Sequence, residues 1–234
     1  MLELTSTTRT DATGNTVFDV VIRTSDGREK RRSLFLDDYI MLLSESKKIK
    51  DNYAVIPEGF LPADTIEACV ASTSQYDVIW RVHGEKRLML YGLAGQEPKA
   101  HTVPFPDLIF HLSVDDGIIR TKECYAAKKG DQHLYIYPFG NVATNGGICM
   151  GNIYVDELDK RVDSFTDCFF LGITNNDYWS VSDRVNIKGC DWSQAKLIEE
   201  LEKRDVFPYE WLVPSPGQTL EFLKHKQKVS CGMA

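Results

Sequence analysis

Three short turn signals constrain this chain most. Asp26-Gly27, His83-Gly84 and Asp116-Gly117 each fall between runs rich in β-branched, aromatic or alternating apolar residues. Glycine accepts the positive φ of a tight hairpin turn at no steric cost, and Asp tolerates it. Thr16–Arg23 and Lys30–Leu36 flank the first signal, Tyr76–Val82 and Lys86–Tyr91 the second, and Leu108–Val114 and Ile118–Tyr125 the third. Gln132–Tyr137 reads as one further strand. Strands joined by two or three residues must run antiparallel, so the pattern predicts a meander with helices packed to one side.

Helical patterns surround the strands. Asp37 or Asp38 is placed to cap a helix over Tyr39–Ser46. Ala63–Ser72 suits a short amphipathic helix, and Asp156–Phe170, Asp191–Arg204 and Gly217–Lys226 suit three more. The clearest is Asp191–Arg204, where Ala195, Leu197, Ile198 and Leu201 face away from Glu199, Glu200, Glu202 and Lys203. The polar residues 1–15 are expected to be poorly ordered. The fold class is therefore α+β, an antiparallel β-meander flanked by helices. The expected division is a hairpin-helix extension over 1–50, a core with a cysteine loop over 51–175, and a C-terminal helical region over 176–234. The charged, then proline-punctuated stretch Lys47–Pro62 marks the first boundary.

Composition narrows the function classes. With 234 residues and 43% hydrophobic content, the chain can bury a sizeable core. A net charge of −7 argues against a nucleic-acid or anionic-membrane partner. The basic cluster Arg28–Arg32 reads as a solvated strand edge. No apolar run has the length of a membrane span, and the opening MLELTSTTRTD has no signal-peptide core, so a cytoplasmic location is expected. The six cysteines, at 69, 124, 149, 168, 190 and 231, show no Cys-x-x-Cys or Cys/His spacing, so neither a metal site nor a cofactor is expected.

One cysteine stands apart. In Tyr137–Asn152, YPFGNVATNGGICMGN, a strand runs into a loop with glycine at 140, 146 and 147 and asparagine at 141 and 145. Such a loop has little to bury, so turn chemistry must shape it, and Asn145-Gly146 is its strongest turn signal. It presents Cys149 between Ile148 and Met150, on the kind of scaffold-held loop that carries nucleophiles. Read alone, Cys149 is either a nucleophile or a small buried hydrophobe.

The loop resembles the active-site loop of ubiquitin-conjugating enzymes. There an asparagine precedes the catalytic cysteine by eight residues, with an Asn/Asp-Gly turn between them. Asn141, Asn145-Gly146, Ile148, Cys149 and Met150 fall in that register. Phe139 and Gly140 stand where that family has histidine and proline, and in this the loop is similar to prokaryotic relatives, such as the plasmid-borne PRTRC system protein B group. The phrase Cys168–Asn175 is also similar to that group, and the resemblance covers about Val103–Asn175.

The resemblance implies an enzyme in which Cys149 accepts a ubiquitin-like modifier as a thioester from an adenylating activating enzyme. Cys149 then passes the modifier to a lysine-bearing target. A thiolate suits both steps, being a good nucleophile and a good leaving group. Asn141 has two possible jobs, donating to the oxyanion or shaping the loop. No general base is visible: Asp156, Asp159 and Asp177 follow the cysteine, but the sequence does not bring any of them near it. The histidines at 83, 101, 111, 133 and 225 show no triad spacing, although His133 lies on the strand entering the loop. Two other readings stay open, an inactive adaptor with the conjugating fold and a cysteine hydrolase with a histidine beside Cys149.

Overall fold

A computed structural model describes residues 3–11, 14–23, 29–36, 56–150 and 161–230. The chain divides into two compact units, Met1–Ala54 and Val55–Ala234. Within the described residues of the first, β1 (Glu3–Thr10), β2 (Thr16–Arg23) and β3 (Glu29–Leu34) form an antiparallel sheet in the order β1-β2-β3. The β2–β3 pairing follows the expected hairpin, but residues 3–10 form a strand where a poorly ordered segment was expected. These residues pair with β2 along its whole length, from Glu3↔Arg23 to Thr10↔Thr16. Asp19 anchors the sheet, accepting from Arg9 Nε at 2.8 Å and from Ser33 Oγ at 2.5 Å. The expected helix over Tyr39–Ser46 lies outside the described residues.

The second unit is built on a six-stranded antiparallel sheet. Its strands are β4 (Thr65–Ser72), β5 (Gln75–Val82), β8 (Asp107–Asp115), β9 (Ile118–Ala127), β10 (His133–Tyr135) and β12 (Pro214–Thr219), in the order β12-β10-β9-β8-β5-β4. A smaller sheet pairs β6 (Lys86–Tyr91) with β7 (Lys99–Pro104) antiparallel and with β11 (Ile173–Thr174) parallel. The turn after β8 follows its sequence signal. Asp116 and Gly117 both take positive φ, 52° and 72°, the conformation that matches the twist of a two-residue hairpin.

Four further expectations are corrected. Ala63–Ser72 is not a helix but contains β4, whose Thr65, Ile66 and Val70 are β-branched and whose backbone completes the ladder beside β5. His83-Gly84 is not a hairpin turn, because β5 pairs with β4 and β8 while β6 enters the other sheet. Gly84 is needed there for close approach: a Cβ would meet the Phe105 carbonyl oxygen at 2.7 Å. Pro214–Thr219 is the edge strand β12, so the last helix starts at Leu220 rather than Gly217. Its prolines are tolerated because an edge strand has one side without a ladder to satisfy.

The fourth correction concerns the faces of the large sheet. Side chains alternate along each strand. On one face Val78, Trp80, Leu108, Phe110 and Leu112 pack with α1 (Ser164–Leu171) and α3 (Gln194–Glu202), and α2 (Val181–Arg184) adds Val181 beside this core. Trp80 stacks on Phe110 with ring centroids 5.3 Å apart, and its indole N–H donates to Thr166 Oγ1 at 3.1 Å. On the other face Ile79, Ile109, Tyr125 and Leu134 pack with Leu220 and Leu223 of α4 (Leu220–Ser230). The helices therefore cover both faces, because alternate positions on β5, β8 and β9 are apolar on each side. Of the expected helix over Asp156–Phe170, residues 156–160 lie outside the described residues, and α1 starts at Ser164 after a turn at 162–163. No helix among the described residues is long and apolar enough to cross a membrane.

Candidate active site

The cysteine loop is stitched to β9 by its backbone. Cys124 N–H donates to the Gly146 carbonyl at 2.9 Å, and Ile148 N–H donates to the Lys122 carbonyl at 3.1 Å. The loop thus takes over the edge of β9 that β10 leaves unpaired. Within the loop Ala143 N–H donates to Gly147 O at 2.8 Å and Gly146 N–H to Ala143 O at 2.9 Å. Asn145 Oδ1 accepts from Gly147 N–H at 3.2 Å, closing the turn as its sequence indicates. Gly146 has φ of +88°, and a Cβ there would lie 2.3 Å from the Tyr125 ring, so no other residue fits. Phe139, Val142, Ile148 and Met150 anchor the loop in the core.

Cys149 lies at the end of this hairpin, partly exposed, with its N–H donating to the Asn141 carbonyl at 2.7 Å. It lines a groove of about 420 Å³. The wall on its own side includes Tyr137, Gly140 and Asn141, and the facing wall includes Ile173, Asn175 and Asp177. No histidine lines the groove. His111 is bonded to Asp77 and Glu123, and His133 bonds its neighbour Asp131, away from the groove. The cysteine-hydrolase reading therefore has no support among the described residues. Asp177 is brought to the groove from 28 positions downstream, whereas Asp156 and Asp159 lie outside the described residues.

Asn141 has a left-handed backbone, φ +65°, and a side-chain amide bonded at both ends. Its Nδ2 donates to Ile173 O at 2.7 Å, and its Oδ1 accepts from Asn175 N–H at 3.0 Å. The side chain thereby imitates a strand partner for β11. Its main-chain N–H donates to Asp177 O at 2.9 Å, so this one residue ties both walls together.

Two further residues span the groove, and neither stands out in the sequence. Gln194, fully buried at the start of α3, accepts from Gly140 N–H through Oε1. Its Nε2 donates to Asn175 O at 2.6 Å. Arg184 is also fully buried and donates to three carbonyls: Tyr137 O at 3.0 Å, Val142 O at 2.5 Å and Tyr178 O at 2.7 Å. Burial pulls its pKa down to about 10, with Asp183 and Tyr137 opposing, so the guanidinium stays charged at neutral pH. The bond to Tyr178 O supports a left-handed tyrosine, φ +61°, a conformation that costs about 1–3 kcal/mol unaided. The loop from Pro138 to Met150 contains no Lys, Arg or His, so tertiary packing alone brings a cation to it. Gly140 fits only as glycine, since a Cβ would meet Asn175 O at 2.0 Å.

Burial pushes the Cys124 thiol well up, consistent with an inert core cysteine behind the loop. No group of His, Cys, Asp and Glu among the described residues is arranged to hold a metal ion.

An antiparallel sheet, a stitched loop presenting one cysteine, and helices after it define a conjugating-enzyme-like class of α+β protein. The chain matches prokaryotic E2 family D over residues 41–215, three quarters of its length, and belongs to that family. Searches of the curated proteins and of the solved structures find no match. Family membership points to a conjugation-related role.

Proposed function

We propose that the protein is a conjugating enzyme that carries a ubiquitin-like modifier on Cys149. The observation that carries this reading is a partly exposed cysteine in a groove that Asp177 lines with it and that no histidine lines. In the first step Cys149 Sγ attacks the carbonyl of the modifier's thioester on the activating enzyme. A new C–S bond forms to Cys149, the C–S bond to the activating enzyme breaks, and the leaving sulfur takes up the proton that the Cys149 thiol gives up. In the second step a lysine amine attacks the same carbonyl, the C–N bond forms, and Cys149 leaves as a thiolate. The amine must lose a proton as it reacts, and Asp177 is the carboxylate on the facing wall that orients and receives it. An open groove suits two macromolecular reactants better than a closed pocket. Asn141 serves this site as a positioning residue, since both ends of its amide hold the facing wall.

The test is loading with an activating enzyme, ATP and modifier. Cys149 is expected to carry an adduct that reducing agent removes. Cys149→Ser should trap a stable oxyester, because an alkoxide leaves poorly, and Cys149→Ala should give no adduct. Asp177→Asn should slow discharge to lysine by about 10²-fold. Asn141→Ala should lower loading, discharge and melting temperature together, whereas an oxyanion role would lower discharge alone. Wild-type protein that never forms a reducible adduct on Cys149 would leave an adaptor with the conjugating fold.

A further inference from the structure

We infer that Gln194 is a positioning residue for the amine-transfer step, setting the distance between Asp177 and Cys149 from behind the groove. The inference rests on the conjugating reading above. Gln194 is the one side chain on α3 that bonds both walls. Its Oε1 holds the Gly140 N–H, one residue before Asn141, whose carbonyl holds the Cys149 N–H. Its Nε2 holds Asn175 O at 2.6 Å and reaches Asn176 Oδ1 at 3.3 Å. Asp177 follows directly, and its own N–H donates to Asn175 Oδ1 at 2.6 Å. Asp177 is therefore fixed by a segment whose main anchor is a planar amide fully shielded from water. Buried amide bonds of this kind keep one geometry, because every alternative strands a donor or acceptor.

The position on the helix adds a second argument. Ser193 caps α3, its hydroxyl accepting from Lys196 N–H at 3.2 Å, and Leu197, Ile198 and Leu201 bury the same face. Gln194 thus projects from a rigid element, and the groove width is referred to the core rather than to a free loop. Arg184 clamps the same two walls one residue beyond Asp177, through Tyr178 O. Asp177 sits between the two clamps.

This predicts a split between the two steps. Acylation of Cys149 needs access to the thiol and should tolerate a displaced Asp177. Discharge to an amine should not, since displacing a reacting group by about 1 Å can cost 10²-fold. Gln194→Glu is the selective variant: it keeps an oxygen for the Gly140 N–H and places the other oxygen against Asn175 O, where a donor belongs. Arg184→Lys is the second variant, because a point charge cannot span three carbonyls at once.

The experiment uses the full chain and a short peptide thioester of mercaptoethanesulfonate, so no cognate partner is required. Cys149 displaces the small thiolate to form acyl-Cys149, and free lysine then displaces Cys149. In Gln194→Glu, acylation is expected to stay within about twofold of wild type while discharge falls by about 10- to 100-fold. The discharge defect should shrink as pH rises, because more lysine is then already neutral. In the Asp177→Asn background Gln194→Glu should add little, as expected for two residues acting through one group. Arg184→Lys should show the same split. Parallel loss of acylation and discharge in both variants, or a defect undiminished in Asp177→Asn, would overturn the inference and leave the conjugating reading standing. Wild-type acyl-Cys149 that does not discharge to lysine would overturn both.

Discussion

The two faces of the six-stranded sheet are both buried at the centre but differ in what they add to their apolar packing. Along β8, Phe110 and Leu112 on one side and Ile109 and His111 on the other are all at most 1% exposed. The first face is filled by aromatic rings: Phe110 contacts Trp80, Phe165 and Phe169 at centroid distances of 5.3, 6.3 and 5.2 Å. The second carries a charged row. His111 bonds Asp77 through Nε2 at 3.0 Å and Glu123 through Nδ1 at 2.9 Å. Lys226 of α4 reaches Glu123 at 2.6 Å, and Gln227 Nε2 donates to Asp77 O at 2.7 Å. Apolar packing rewards volume and tolerates sliding, whereas these polar pairs are satisfied at one helix register only. The aromatic face supplies burial, and the polar face fixes where α4 sits.

The cysteine loop is held from both sides in keeping with this division. Phe139, Val142 and Ile148 sink into the aromatic core. From the other face the Tyr125 hydroxyl donates to Asn145 O at 2.5 Å and the ring supports Gly146. Burial, together with the neighbouring Glu123 and Cys124, pushes the Tyr125 pKa up, so the hydroxyl remains a donor.

Deleting a ring from the aromatic face tests the comparison most severely. Phe110→Ala should cost about 3–5 kcal/mol in denaturant unfolding, as for other buried aromatics. The loss should be the same at every pH, since no titratable group takes part.

Removing the imidazole should cost about 3 kcal/mol near pH 6, because it takes the positive charge from between the Asp77 and Glu123 carboxylates. His111→Gln makes that change, and unlike Phe110→Ala its cost should depend on pH. Burial opposes the charge on His111, but the Asp77 and Glu123 carboxylates outweigh it, and the pKa is raised above the ordinary 6.5. The stability from this group is then fully present below pH 6.5 and is lost as pH rises through the raised value. Burial likewise opposes the charge on Glu123, yet His111 and Lys226 hold its pKa below the ordinary 4.5. Its contribution is present above pH 4.5 and is lost as pH falls through the lowered value. The network is strongest between those limits. Melting temperatures of wild type and His111→Gln should converge as the solution becomes alkaline. Parallel curves across the range would show that the second face is held by packing alone, like the first.

The smallest effect should come from Tyr125→Phe. It removes one hydrogen bond from the loop turn, about 1 kcal/mol, and should quicken amide exchange at Gly146 and Gly147 without shifting the pH profile. An unchanged loop would mean that the aromatic face holds it unaided.

The sequence by itself determined the local features whose physics is local. Asp116-Gly117 must turn, because few other pairs adopt two consecutive left-handed conformations cheaply. Asn145-Gly146 must turn because Gly146 takes a positive φ and the Asn145 side chain accepts from Gly147 N–H, and the 3.6-residue pattern of Leu197, Ile198 and Leu201 requires a helix with one buried face. The asparagine, turn and cysteine spacing pointed to the family and to the loop that lines the groove. Tertiary structure decided everything that depends on long-range partners. The 65–72 stretch carries apolar residues compatible with a short helix, and it is a strand because β5 offers an unpaired edge. Gly84 resembles a turn glycine, and it is a point of close approach because Phe105 lies against it. Asp177, Arg184 and Gln194 are ordinary polar residues in the chain. They meet the cysteine loop because α2 and α3 pack beside it, and a bond between residues 54 positions apart leaves no local periodicity to read.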